Sequence, residues 1–139
     1  SSPIDPALRS LITVRISQIN HCPFCVDINS MTLMKRGVPE EKVQALAEWR
    51  TSPLFEDRER AALDYAEAVT VTGAEVTDDM FAALRRHFDE DAIVELTGLI
   101  AFQNLSSKFN AALEVPPQGF CRLPAPAATP DREKPVRTP

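Results

Sequence analysis

Asn20-His21-Cys22-Pro23-Phe24-Cys25-Val26-Asp27-Ile28-Asn29 is the stretch from which the rest of this 139-residue chain is read. Pro23 suits the first turn of a helix, where its missing N–H has no partner to lose. That makes Cys22 the capping residue and sets both cysteines at the helix start. The helix predicted from here runs to Arg36, with Val26, Met31, Leu33 and Met34 as its apolar set. Lys35 and Arg36 complement its negative end, and Gly37 supplies a left-handed cap.

Upstream, Asp5-Pro6 opens a first helix whose apolar face is Leu8, Leu11, Ile12, Ile16 and Ile19, at spacings of three and four. Asn20-His21 breaks the pattern. Downstream, Pro39-Glu40-Glu41 begins a short third helix that carries Val43, Leu46, Ala47 and Trp49. A fourth runs from Glu56 to Thr72, its alanines pointing to close helix approach. Thr77-Asp78-Asp79 caps a fifth, with Met80, Phe81, Leu84 and Phe88. A sixth, near Asp91 to Leu113, is apolar on most sides and is therefore expected in the core or in a subunit interface. No β-pattern or internal repeat interrupts this series, so the fold class is all-α. The helical domain is placed at residues 1–114. Most of the twelve prolines follow Val115, so residues 115–139 read as an extended or disordered tail.

Charge and composition exclude several classes. The net charge is −5 with 25% charged residues and no basic stripe, which argues against a nucleic-acid partner. No apolar run reaches the length that spans a bilayer, and no leader peptide is evident. Three cysteines, an odd number in a chain of this size, fit a reduced compartment better than a secreted disulfide scaffold. The expectation is a cytoplasmic protein with no membrane partner.

Cys22 and Cys25 stand at i and i+3, so on a helix they share a face, and the same spacing permits a small disulfide ring. Unpaired N–H groups at a helix start favour the thiolate, which is the form that attacks peroxides and disulfides. The stretch therefore has the parts of a dithiol cycle: one sulfur is oxidised to a sulfenic acid, the other resolves it to a disulfide, and an external dithiol restores both. Capping alone favours Cys22 as the more activated sulfur. Two plainer readings stand beside this one. The pair would be half of a zinc site, although only Cys121, His21 and His87 remain as ligands of that kind. Or both cysteines are inert core residues.

The longer run Leu11-Ile12-Thr13-Val14-Arg15-Ile16-Ser17-Gln18-Ile19-Asn20-His21-Cys22-Pro23-Phe24-Cys25-Val26-Asp27 resembles the signature of the AhpD-like, carboxymuconolactone decarboxylase family. Gly37-Val38-Pro39, the segment from Phe55 to Thr72, Ile93 to Thr97, Asn104 and Phe109-Asn110 agree with it. The match covers roughly residues 5 to 117. The resemblance implies an all-helical domain assembling as trimers or hexamers. It also implies thiol-dependent alkylhydroperoxidase activity, with Cys25 attacking and Cys22 resolving, and a thioredoxin-like or lipoyl reductant. No cofactor is implied.

The chain departs from that pattern at two places. The family's glutamate, twelve residues before the first cysteine, is Ser10, and its histidine, four residues after the second, is Asn29. Neither side chain titrates near neutral pH, so neither serves as a general base. The expectation is a peroxidase-like or dithiol–disulfide oxidoreductase that uses Cys22 and Cys25 to reduce a hydroperoxide or a disulfide, with weak peroxidase turnover. Asn29 lies one turn from Cys25, within reach of its sulfur. His21 is a candidate substitute base, weighed against a solvent-facing loop histidine. Glu67, in an alanine-rich stretch, is another candidate, weighed against an exposed or intersubunit acid. Asp27 reads as a solvated acid pointing away from the pair, and Cys121 as a free thiol. Two alternatives complete the expectations: a non-catalytic binding or scaffold protein with a structural pair, and a lactone decarboxylase-type enzyme, for which only His21 and His87 are available.

Overall fold

Asp5 and Pro6 start the first helix as their chemistry dictates. The Asp5 carboxylate accepts the Leu8 N–H at 2.9 Å, and Pro6 occupies the position whose N–H would be orphaned. A computed structural model describes residues 2–121, and among them there are six α-helices and no strand. They are α1 (Pro6–Ile19), α2 (Pro23–Lys35), α3 (Glu40–Ala45), α4 (Asp57–Thr70), α5 (Asp78–Arg85) and α6 (Glu90–Ala112), with a single 3₁₀ turn at Leu46–Glu48 after α3. Thr77 caps α5 through the Met80 N–H, and Asp89 caps α6 through the Ala92 N–H. None of the described helices is long and apolar enough to cross a membrane. The expectations for the chain beyond Cys121, which include most of the proline-rich tail, lie outside the described residues.

The centre of the fold is α1, which packs against α2, α4 and α6. Its burial goes beyond one apolar stripe: Ser10, Val14 and Ser17 are buried along with Leu8, Leu11, Ile12 and Ile16. Each fully buried Leu or Ile contributes about 1.5–3 kcal/mol, and Leu11, Ile12 and Ile16 have no exposure. Ile19, counted on that face from the sequence, is only half-buried at the helix end.

Two helices differ from their sequence reading. On α2 the buried positions are Cys25, Asp27, Ser30 and Leu33, whereas Val26 and Met31 are half-buried and Met34 is exposed. The polar and thiol residues face inward because α2 lies against α1 and α6 and is crossed on another side by the segment after α6. On α6, one face with Ile93, Leu96, Ile100, Gln103 and Ser107 enters the core. The other leaves Val94, Phe102, Leu105 and Phe109 between 62% and 71% exposed. Four large apolar side chains on one helix face are therefore uncovered in the single chain.

Candidate functional site

The cysteine pair sits where α1 turns into α2. His21 has a φ of 53°, in the left-handed region, and reverses the chain there. The Cys22 N–H then donates to the Ser17 carbonyl at 3.1 Å, tying the start of α2 to the end of α1. Cys22 is the N-cap, as its position before Pro23 predicts. Its sulfur accepts the Cys25 N–H at 3.2 Å, and its carbonyl accepts the Val26 N–H. Cys22 and Cys25 are joined as a disulfide, with Cα atoms 5.2 Å apart, the closeness that an i, i+3 pair on a first turn provides. They are 1% and 2% exposed, so any substrate must be small or slender to reach the sulfurs.

Around the pair the polar groups are uncharged. Asn110, from the last turns of α6, donates through Nδ2 to the Cys25 sulfur at 3.7 Å. The same Nδ2 donates to the Ser106 carbonyl at 2.9 Å, which fixes the amide. Behind the sulfurs, the buried Ser17 hydroxyl donates to the Thr13 carbonyl and accepts from Asn29 Nδ2 at 3.2 Å and from Gln103 Nε2 at 3.1 Å. Gln103 Nε2 also donates to the Ser107 hydroxyl at 2.9 Å. Nearby, Asn20 Nδ2 donates to Asn104 Oδ1, and Asn104 Nδ2 to the Thr70 hydroxyl. No buried side-chain nitrogen or oxygen among the described residues lacks a partner.

The auxiliary residues named from the sequence divide. Asn29 is beside the pair, but its amide serves Ser17 and not the Cys25 sulfur. Ser10 is at the opposite end of the α1–α2 hairpin. It accepts from Arg36 Nη1 at 2.7 Å, and it lies about 10 Å along the α1 axis from Ser17, at 1.5 Å rise per residue. His21 is next to Cys22 in sequence and is exposed. Glu67 is neither an exposed acid nor a partner of the cysteines. Its carboxylate accepts from Arg15 Nε at 2.8 Å, Trp49 Nε1 at 2.8 Å and Arg50 Nη2 at 3.1 Å, locking α1 and the α3–α4 connection to α4. Burial pushes the Glu67 carboxyl up, but the three donors prevail and hold it below its ordinary value.

Asp27 departs most from expectation. It does lie off the cysteine face, yet it is buried, because the chain after α6 folds back over it. Oδ2 accepts the N–H groups of Gln118 at 2.8 Å and Phe120 at 3.1 Å, and Oδ1 accepts that of Cys121 at 2.7 Å. Burial alone would raise its pKa; these backbone donors lower it below the usual carboxylate value. Cys121 is a free, half-buried thiol whose backbone is fixed by this bond.

Sequence reading missed Asn110, Ser17 and Gln103. Gln103, Ser107 and Asn110 recur at spacings of four and three on α6, a polar stripe that marks a face turned toward something polar. Among the described residues, no group of three or more His, Cys, Asp or Glu is placed to hold a metal ion.

The carboxymuconolactone decarboxylase family model matches residues 1–68. The uncharacterized protein YnjA of Escherichia coli K12 is 52% identical over 123 residues, which are 88% of this chain and 68% of YnjA. Among solved structures, ATU0492 of Agrobacterium tumefaciens is a protein of unknown function put forward as an antioxidant defence protein AhpD. It superposes with a TM-score of 0.80 at 31% identity, covering 83% of this chain and 80% of its own. The debrominase Bmp8 follows with a TM-score of 0.76 at 28% identity, covering 84% of this chain and 63% of Bmp8. With the AhpD-like arrangement of six helices and a cysteine pair at the start of α2, the chain belongs to the carboxymuconolactone decarboxylase family.

Proposed function

We propose that this protein is a dithiol peroxidase that reduces a small organic hydroperoxide with Cys25 and Cys22. The observation that carries the reading is the pair itself: two cysteines within disulfide reach, at a helix start, in a bed of neutral hydrogen-bond donors. In the reduced form the Cys25 thiolate attacks the terminal oxygen of ROOH. The S–O bond forms, the O–O bond breaks, and the departing alkoxide takes a proton to give ROH. Cys25 is then a sulfenic acid. The Cys22 thiolate attacks that sulfur, the S–S bond forms, and the S–O bond breaks, releasing hydroxide that leaves as water with one proton. An external dithiol then reduces the disulfide and is itself oxidised. The near-complete cover of both sulfurs favours a hydroperoxide over a protein disulfide as oxidant, and a slender dithiol such as a lipoyl arm as reductant.

A homo-oligomer is part of the same reading. The uncovered face of α6, with Val94, Phe102, Leu105 and Phe109, is the kind of surface that a second copy covers.

The reading is tested by counting thiols. Reduced protein given one equivalent of cumene hydroperoxide loses two thiols per chain, and peptide mapping finds the Cys22–Cys25 disulfide with Cys121 still free. Cys25→Ser loses none under the same conditions. Because a cysteine-to-alanine variant of the debrominase Bmp8 has been solved in complex with 2,3,4-tribromopyrrole, that compound is the comparison ligand. Oxidation of the pair by hydroperoxide no faster than that of an ordinary thiol sinks the proposal.

A further inference from the structure

We propose that Asn110 is a catalytic residue, whose side-chain amide donates to the Cys25 sulfur and stabilises its thiolate in the place of a titrating base. The inference rests on the dithiol reading above and adds to it the means by which Cys25 is activated. The Asn110 amide carries two N–H donors in a fixed plane. Nδ2 lies 2.9 Å from the Ser106 carbonyl and 3.5 Å from the Ser106 hydroxyl, four residues back, and 3.7 Å from Cys25 Sγ. The short bond to the carbonyl takes one N–H and orients the other toward the sulfur, with the Ser106 hydroxyl as its competing acceptor. The large radius of sulfur brings this distance into hydrogen-bond range. Cys25 is 2% exposed, so water competes poorly for the sulfur, and in such a setting a donor aimed at an anion counts for more than in solvent.

The two sulfurs are served by different donors. Cys22 Sγ has the Cys25 backbone N–H at 3.2 Å; Cys25 Sγ has Asn110. That division matches an attack followed by a resolution, with each thiolate held in turn by its own donor. Arg15, Arg9 and Asp27 on the surrounding elements are committed elsewhere, and Lys35, Lys108 and His21 face solvent. On α1, Arg15 is held by Glu67 and Arg9 by Glu95 of α6. On α2, Asp27 is held by the 118–121 backbone, and Lys35 is exposed. Lys108 of α6 and His21 of the α1–α2 turn are exposed, and Glu114 is half-buried one turn past Asn110. The remaining neighbours, Ser17, Asn29, Gln103 and Ser107, carry no charge.

The test uses the full chain with Cys22→Ser and Cys121→Ser, so that Cys25 is the one thiol, and reads its pKa from the ultraviolet absorbance of the thiolate. Asn110→Leu raises the Cys25 pKa by about one unit, the size expected for losing one donor to an anion. Asn110→Asp, nearly isosteric, raises it further by adding a negative charge, and carries the test if the leucine variant does not fold. His21→Ala and Glu114→Gln leave it within a few tenths of a unit. An unchanged pKa in a folded Asn110 variant overturns the proposal, as does a larger shift in either control. A pKa that moves as stated in a protein inert to hydroperoxide would refute the peroxidase reading and leave the role of Asn110 standing.

Discussion

Replacing Asp27 with Asn removes the anion that holds the segment after α6 against α2. In the wild type, Oδ2 accepts the Gln118 and Phe120 N–H groups and Oδ1 accepts that of Cys121, at 2.8, 3.1 and 2.7 Å. An amide has one oxygen, so at best the two bonds to that oxygen persist in weakened, neutral form. The third donor then meets an NH₂ group. Losing one buried charge-assisted bond and weakening two costs about 2 kcal/mol at neutral pH. The segment is local and ends the described chain, so the cost appears as local opening and not as global unfolding. Amide exchange at Gln118, Phe120 and Cys121 accelerates about 30-fold, and Cys121 reacts faster with a thiol reagent. The pH dependence has a definite sign. The folded pKa of Asp27 lies below its ordinary value because the backbone donors outweigh the cost of burial. Its contribution is therefore complete above the unfolded value, near pH 4, and is lost as pH falls through the folded value. The difference between wild type and Asp27→Asn narrows in acid. Unchanged exchange at those three amides at pH 7, or a difference that widens as pH falls, would refute the argument.

Two further outcomes follow from the packing. Glu67→Gln leaves one acceptor oxygen where a carboxylate meets Arg15, Trp49 and Arg50, and lowers stability by about 1–2 kcal/mol at pH 7, read by denaturant unfolding with Trp49 fluorescence as the probe. Since the Glu67 pKa is depressed in the folded state, that loss shrinks as pH drops below about 4; a loss that grows in acid contradicts the assignment. Phe102→Glu together with Leu105→Glu, both on the uncovered face of α6, converts an oligomer to a folded monomer in light scattering at micromolar concentration. A wild type that is already monomeric there removes the case for a second copy on that face.

The helices were legible because each announces itself locally. Asp5-Pro6, Cys22-Pro23 and Thr77 are capping signals that depend on neighbours within a turn, and all three operate as their chemistry predicts. The position of the cysteine pair was legible for the same reason. What escaped were contacts made by distant parts of the chain. Asp27 reads as a surface acid until residues some ninety positions later fold over it. Glu67 is half-buried among cationic and indole donors from two other segments, α1 and the α3–α4 connection, which no helical spacing reveals. Asn110 reaches Cys25 across 85 residues of sequence. Ser10 illustrates the opposite case: it was singled out because it occupies the position of the family's glutamate, and the antiparallel α1–α2 hairpin sets it beside Arg36 at the far end.

The order of attack is the claim on which the rest depends, and trapping the sulfenic acid tests it most directly. Reduced Cys22→Ser and reduced Cys25→Ser are each treated with one equivalent of cumene hydroperoxide in the presence of dimedone, and the adduct is located by peptide mass. The account predicts a stoichiometric adduct on Cys25 in Cys22→Ser and no adduct above background on Cys22 in Cys25→Ser. An adduct formed as fast on Cys22 as on Cys25, or on neither, contradicts it.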